Sequence, residues 1–98
     1  MPRWQLTRHA ADDIVQIYLQ GLEAFGATQA DAYHIALEQL FEFLARYPRA
    51  ARERHEITPP VRAHPYKAHL IVYEILPDDR ILVLRIRHAR EDWQDEPA

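Results

Sequence analysis

Residues 61–93 read VRAHPYKAHLIVYEILPDDRILVLRIRHAREDW. Apolar, β-branched and aromatic residues fill the two halves, and Pro77-Asp78-Asp79 breaks them apart. The pattern predicts strands over 68–76 and 80–88 joined by a tight turn, with a shorter strand at 61–64. Ile71-Val72-Tyr73 and Ile81-Leu82-Val83-Leu84 carry apolar side chains on both faces, as central strands do. The last strand then runs into Arg85, Arg87, His88 and Arg90 with no acid until Glu91. Cationic groups are therefore expected on a rigid element. Alternation predicts Arg85 and Arg87 on the face of Ile81 and Val83, and His88 on the face of Leu82, Leu84 and Ile86.

Upstream, Trp4-Gln5-Leu6 alternates as a short strand within 3–7, and Thr7 is a candidate helix N-cap. From Ala10 the period changes, with Ile14, Ile17, Tyr18, Leu22 and Phe25 recurring at three- and four-residue steps. Asp12 and Asp13 are read as first-turn acids favoured by the helix dipole, and Gly26 as the stop. Thr28 and Asp31 resemble a capping box opening a second helix, whose stripe is Tyr33, Leu37, Leu40, Phe41, Leu44 and Tyr47. Pro48 ends it. So short a connection implies an antiparallel helix hairpin, whose apolar stripes need a sheet to cover them. Residues 49–60 lack periodicity and read as a basic surface connection, and 91–98 as a frayed acidic tail. The expected fold is α+β: an N-terminal strand and a two-helix hairpin packed on a twisted antiparallel sheet of about four strands, in one domain over 1–98.

The chain has 98 residues, 48% hydrophobic and 28% charged, which suits a small folded globule rather than a disordered chain. No apolar run approaches the roughly 20 residues that span a bilayer, and the start lacks a signal-peptide core. With no cysteine, thiol catalysis and Cys-type metal sites are excluded, and a cytoplasmic location is expected. The net charge of -3 is uneven. Residues 1–45 carry two basic and six acidic groups, 46–90 ten and five, and 91–98 four acids. The basic 46–90 segment can steer the molecule towards an anionic partner, either nucleic acid or an acidic protein segment.

His9, His34, His55, His64, His69 and His88 lie singly, without the spacing that sets two ligands on one helix face, so neither metal nor cofactor is expected. Tyr73 alternates with Ile71 and Ile75 and reads as core. Arg85, Arg87, His88 and Arg90, with Arg62 and Lys67 from the neighbouring strand region and Trp93 beyond, form the candidate site. Such cations suit two roles. They can pair with carboxylates of this chain or of a partner, or guanidinium groups can hold a phosphate while a histidine moves protons.

The order of elements, the segment HAADDIVQIYLQ at 9–20, the helix end LFEFLARYP at 40–48 and the 61–93 stretch together resemble the RelE/ParE superfamily of type II toxin–antitoxin toxins over essentially the whole chain. The long hairpin and the ending Arg85, His88, Asp92, Trp93 are more similar to the ParE branch. That resemblance implies a toxin that inhibits DNA gyrase by binding and is neutralised by a co-encoded antitoxin, in a toxin–antitoxin hetero-oligomer. The RelE branch implies ribosome-dependent mRNA cleavage, with Arg62, Arg85 and His88 as phosphate-binding and proton-transfer groups. Direct nucleic-acid binding is expected only in that case. The chain departs from the ribonuclease pattern, having Trp93 but no tyrosine after the last strand. An antitoxin segment is expected in a groove of the hairpin, its acids meeting Arg85, Arg87 and Arg62.

Overall fold

The computed structural model describes residues 3–89, so Arg90, Trp93 and the acidic tail lie outside the described residues. Strand β1 (Trp4–Leu6) leads into helix α1 (Arg8–Phe25), helix α2 (Ala27–Arg46) and strands β2 (Glu53–Arg54), β3 (Val61–Tyr66), β4 (His69–Ile75) and β5 (Ile81–His88). The sheet runs β1-β5-β4-β3-β2, with β4 and β5 inside it as their two-sided apolar pattern requires. It is antiparallel except for β1, which pairs parallel with β5 because the helix hairpin carries the chain back across the sheet. Two-residue β2 is a fifth strand within the connection read as irregular. None of the described helices is long and apolar enough to cross a membrane.

Thr7 caps α1 as its position suggests, its hydroxyl oxygen accepting from the Ala10 N–H at 3.0 Å. The helix starts at Arg8, which moves Asp12 and Asp13 beyond the first turn. A single residue, Gly26 at φ +90°, separates the helices and is the N-cap of α2, so Thr28 and Asp31 form no capping box. Asp31 instead accepts a hydrogen bond from the Tyr18 hydroxyl of α1. That contact, together with Gly21 against Ala30, sets the hairpin antiparallel.

Helix α2 supplies most of the helical core. Leu37, Phe41, Leu44 and Ala45 are buried against Ile71, Tyr73, Ile81, Val83 and Ile86 of the sheet, whereas α1 buries only Ala10 fully. Tyr73 is sealed beneath the helices and donates its hydroxyl hydrogen to the Pro48 carbonyl at 2.7 Å. On the opposite face Ile57, Val61, Ala63 and Val72 make a second cluster. The connection 49–60 therefore does more than cross the surface, because its lone Ile57 closes that face.

One irregularity corrects the expected alternation. Val72 pairs with Arg85 but Tyr73 pairs with Val83, so Leu84 is an extra residue on β5 and forms a β-bulge. Beyond the bulge the faces exchange. Ile86 joins Ile81 and Val83 in the core under the helices, a place that strict alternation assigns to Arg85 and Arg87.

Candidate functional site

Strand β1 covers the outer edge of β5 only as far as Val83. Past that point the edge of β5 has no neighbouring strand among the described residues, and its backbone groups need other partners. The start of α1 supplies them. The Thr7 N–H donates to the Val83 carbonyl at 3.0 Å, the Thr7 hydroxyl donates to the Leu84 carbonyl at 2.6 Å, and Asp13 Oδ2 accepts the Ile86 N–H at 2.9 Å. Asp13 also receives Arg85 through two bonds, Nε to Oδ2 at 2.8 Å and Nη2 to Oδ1 at 3.2 Å. The Asp13 side chain is 17% exposed and that of Arg85 26%, so this bidentate pair is shielded from water on most sides. Arg85 thus belongs to the joint between α1 and β5. Nothing in the sequence signals this bond, because 72 residues separate its partners.

The other candidates have different surroundings. Arg62 lies on β3 opposite Tyr73, with the whole of β4 between it and β5. Its Nη1 donates to the Ala51 carbonyl at 2.7 Å, and its Nη2 lies 3.6 Å from Glu53 Oε2. It clamps the connection onto β3. Arg87 stands opposite Leu70, a residue that packs on the face away from the helices. His88 stands opposite His69 at the other end of β5, their ring centroids 5.7 Å apart. Arg62, Arg85 and His88 do not converge on a common point where a phosphate can sit.

Lys67 and His88 do come together, at the end of an apolar groove of about 400 Å³ between α1, α2 and the ends of β4 and β5. Ile14, Ile17, Gly21 and Phe25 of α1 face Ala30 and Leu37 of α2 along it. Phe25, the last residue of α1, lines this groove and is 67% exposed. The absent side chain of Gly21 widens the floor and lets Ala30 approach. At the sheet end the lining turns polar, through Lys67, His69, His88 and Tyr33.

Each of these groups is held in place. Lys67 occupies the turn between β3 and β4 with φ +53°, a left-handed conformation that projects its side chain out of the hairpin. Its Nζ lies 5.6 Å from the ring centroids of both Tyr33 and Tyr66, at the outer limit of a cation–π contact. Tyr33 Oη shares a 2.6 Å hydrogen bond with His69 Nδ1. Burial, with a smaller contribution from Tyr66, pushes the Tyr33 hydroxyl up to about 12, so it is neutral and a hydrogen-bond donor near neutral pH. The arrangement is suited to binding: an apolar trough whose one end offers an ammonium group. Tyr33 and His69 carry no sequence signal for this role, since one looks like a helix stripe residue and the other like a strand residue.

Among the described residues no group of three His, Asp or Glu side chains is placed to hold a metal ion.

Comparison with known proteins bears on the family and the fold. The model of a family described as the ParE toxin of the type II toxin–antitoxin system, parDE, matches residues 5–93. Toxin ParE3 of Caulobacter vibrioides is 27% identical over 84 residues, which span 86% of this chain and 83% of that protein. A solved structure described as a chromosomal ParDE TA system from P. aeruginosa has the same fold, with a TM-score of 0.74 at 21% identity over 87% of this chain and 92% of that one.

Proposed function

Because the chain belongs to the ParE toxin family of type II toxin–antitoxin systems, we propose that it inhibits DNA gyrase by binding and is held inactive by an antitoxin encoded beside it. The observation that carries the choice of binding over catalysis is the Arg85–Asp13 pair. A guanidinium committed through two bonds to a carboxylate of its own chain is not available to hold a scissile phosphate. Arg62 donates to the Ala51 carbonyl and lies 3.6 Å from Glu53, and His88 lies in the groove rather than beside either arginine. General acid–base chemistry needs its groups within hydrogen-bond reach of one reacting centre, and these three are spread across the sheet. The apolar groove supports the second half of the reading, since a disordered antitoxin segment can fold onto such a surface. Its place of action is then the cytoplasm, where gyrase works.

Expression of the chain without its antitoxin tests the proposal, with plasmid supercoiling and message integrity read separately. Loss of negative supercoiling while transcripts stay intact is the expected outcome. Cleaved transcripts with normal supercoiling overturn it in favour of a RelE-like endoribonuclease.

A further inference from the structure

We infer that the groove receives its partner in one orientation, with apolar side chains of an antitoxin segment between α1 and α2 and a carboxylate of that segment on Lys67. The inference rests on the reading of the chain as an antitoxin-neutralised toxin, and it adds which cation the partner meets. That cation differs from the ones the strand pattern suggests. Arg85 and Arg62 already have internal acceptors, in Asp13 and in Ala51 and Glu53. Lys67 is the lysine that lines the groove, and among the described residues no carboxylate lies within ion-pair distance of its Nζ. Two tyrosine rings flank it instead.

The physical argument is one of complementarity along the groove. Along α1 the groove is lined mostly by apolar residues, Phe25, Ala24, Gly21, Ile17 and Ile14, with Tyr18 and Gln20 among them, and a cavity of about 400 Å³ takes a few side chains rather than a backbone element. The occupant is therefore a segment lying over the groove and inserting one apolar face, read at i, i+3 or i+4 and i+7 if helical. At the Lys67 end the rings of Tyr33 and Tyr66 exclude water from one side of the ammonium group, which strengthens its attraction for an anion. Among the described residues, Tyr33, His69 and His88 are the other polar groups facing that end, and none of them carries a carboxylate. Among the described residues, the ammonium group that can pair with an acidic residue thus stands at one end of the groove. Reversing the segment would set its carboxylate near Phe25, Ala24, Gln20 and Gln29, where the two neutral amides bring no opposite charge to offset its desolvation.

The test uses the protein with the antitoxin encoded beside it, by titration calorimetry at low and high salt. Lys67→Glu is expected to weaken binding by about 10- to 100-fold at low salt, and Lys67→Arg to stay within about threefold of the natural chain. Phe25→Ser, at the apolar end, is expected to weaken binding without changing its salt dependence. Arg52→Glu, on the far connection, should leave affinity unchanged. If Phe25→Ser weakens binding and Lys67→Glu does not, the carboxylate contact is wrong. If neither does, the groove is not the docking site, although the toxin–antitoxin reading stands. Failure of the natural chain to bind removes that reading and this inference with it.

Discussion

Arg85 and Lys67 are both cations of the same sheet, and their surroundings are opposite. Arg85 lies in the most conspicuous cationic run of the chain, yet a carboxylate 72 residues away holds it through two bonds. Lys67 stands alone in a turn, yet it faces a groove with the rings of Tyr33 and Tyr66 beside it and, among the described residues, no carboxylate at ion-pair distance. Charge density along a sequence therefore does not locate the available charge. Availability depends on what the fold sets against each group.

The largest expected effect comes from breaking the lock. Asp13→Ala leaves a half-buried guanidinium and the Ile86 N–H without their acceptor, and should cost about 2–4 kcal/mol of unfolding free energy in urea titrations. A loss below about 0.5 kcal/mol would mean that the α1–β5 joint does not depend on this pair. Arg85→Ala should cost less, about 1–2 kcal/mol, because Asp13 retains the backbone bond to Ile86. The double variant should show coupling of about 1 kcal/mol or more between the two positions. It follows that lost toxicity in an Arg85→Ala protein reports stability as well as contact, and its folded fraction has to be measured alongside.

On the other side of the comparison, Lys67→Gly relieves the left-handed backbone but enlarges the entropy of the unfolded chain. The two effects oppose each other, and the net change should fall within about 0.5 kcal/mol. A large loss would show that Lys67 is part of the framework after all. The smallest effect concerns Tyr33. Its hydroxyl ionises at about 12 in the fold and at the ordinary 10.0 when unfolded, so between those values the unfolded chain has released a proton that the native one keeps. The stabilisation is complete below pH 10 and fades as the pH rises towards about 12. Tyr33→Phe should flatten that decline in urea midpoints measured across the window, and should remove the latest tyrosinate step in an absorbance titration.

Most of the fold was legible because it is written in local periods. The two-sided apolar runs at 69–75 and 81–83, the three- and four-residue steps of α2, Thr7 as a cap and Gly26 as the helix break all appear where the residues place them. The errors share a cause. Thr28 and Asp31 have the spacing of a capping box, but α2 begins at Ala27 with Gly26 as its N-cap, so Thr28 already lies inside the first turn, and Asp31 bonds Tyr18 instead. Leu84 looks like one more strand residue, and only the pairing of β5 with β4 turns it into a bulge that exchanges the faces beyond it.

The same division holds for the site. By itself the sequence determined the α+β class, the central strands, the absence of thiol chemistry and the likeness to the ParE branch, since these depend on composition, on period and on motifs read along the chain. Tertiary structure alone decided that Asp13 holds Arg85, that Ala51 and Glu53 hold Arg62, and that Lys67, His88, His69 and Tyr33 share the end of one groove. Hydrogen bonds and ion pairs act over about 3–4 Å, and no local pattern in the chain specifies which distant residue arrives within that reach.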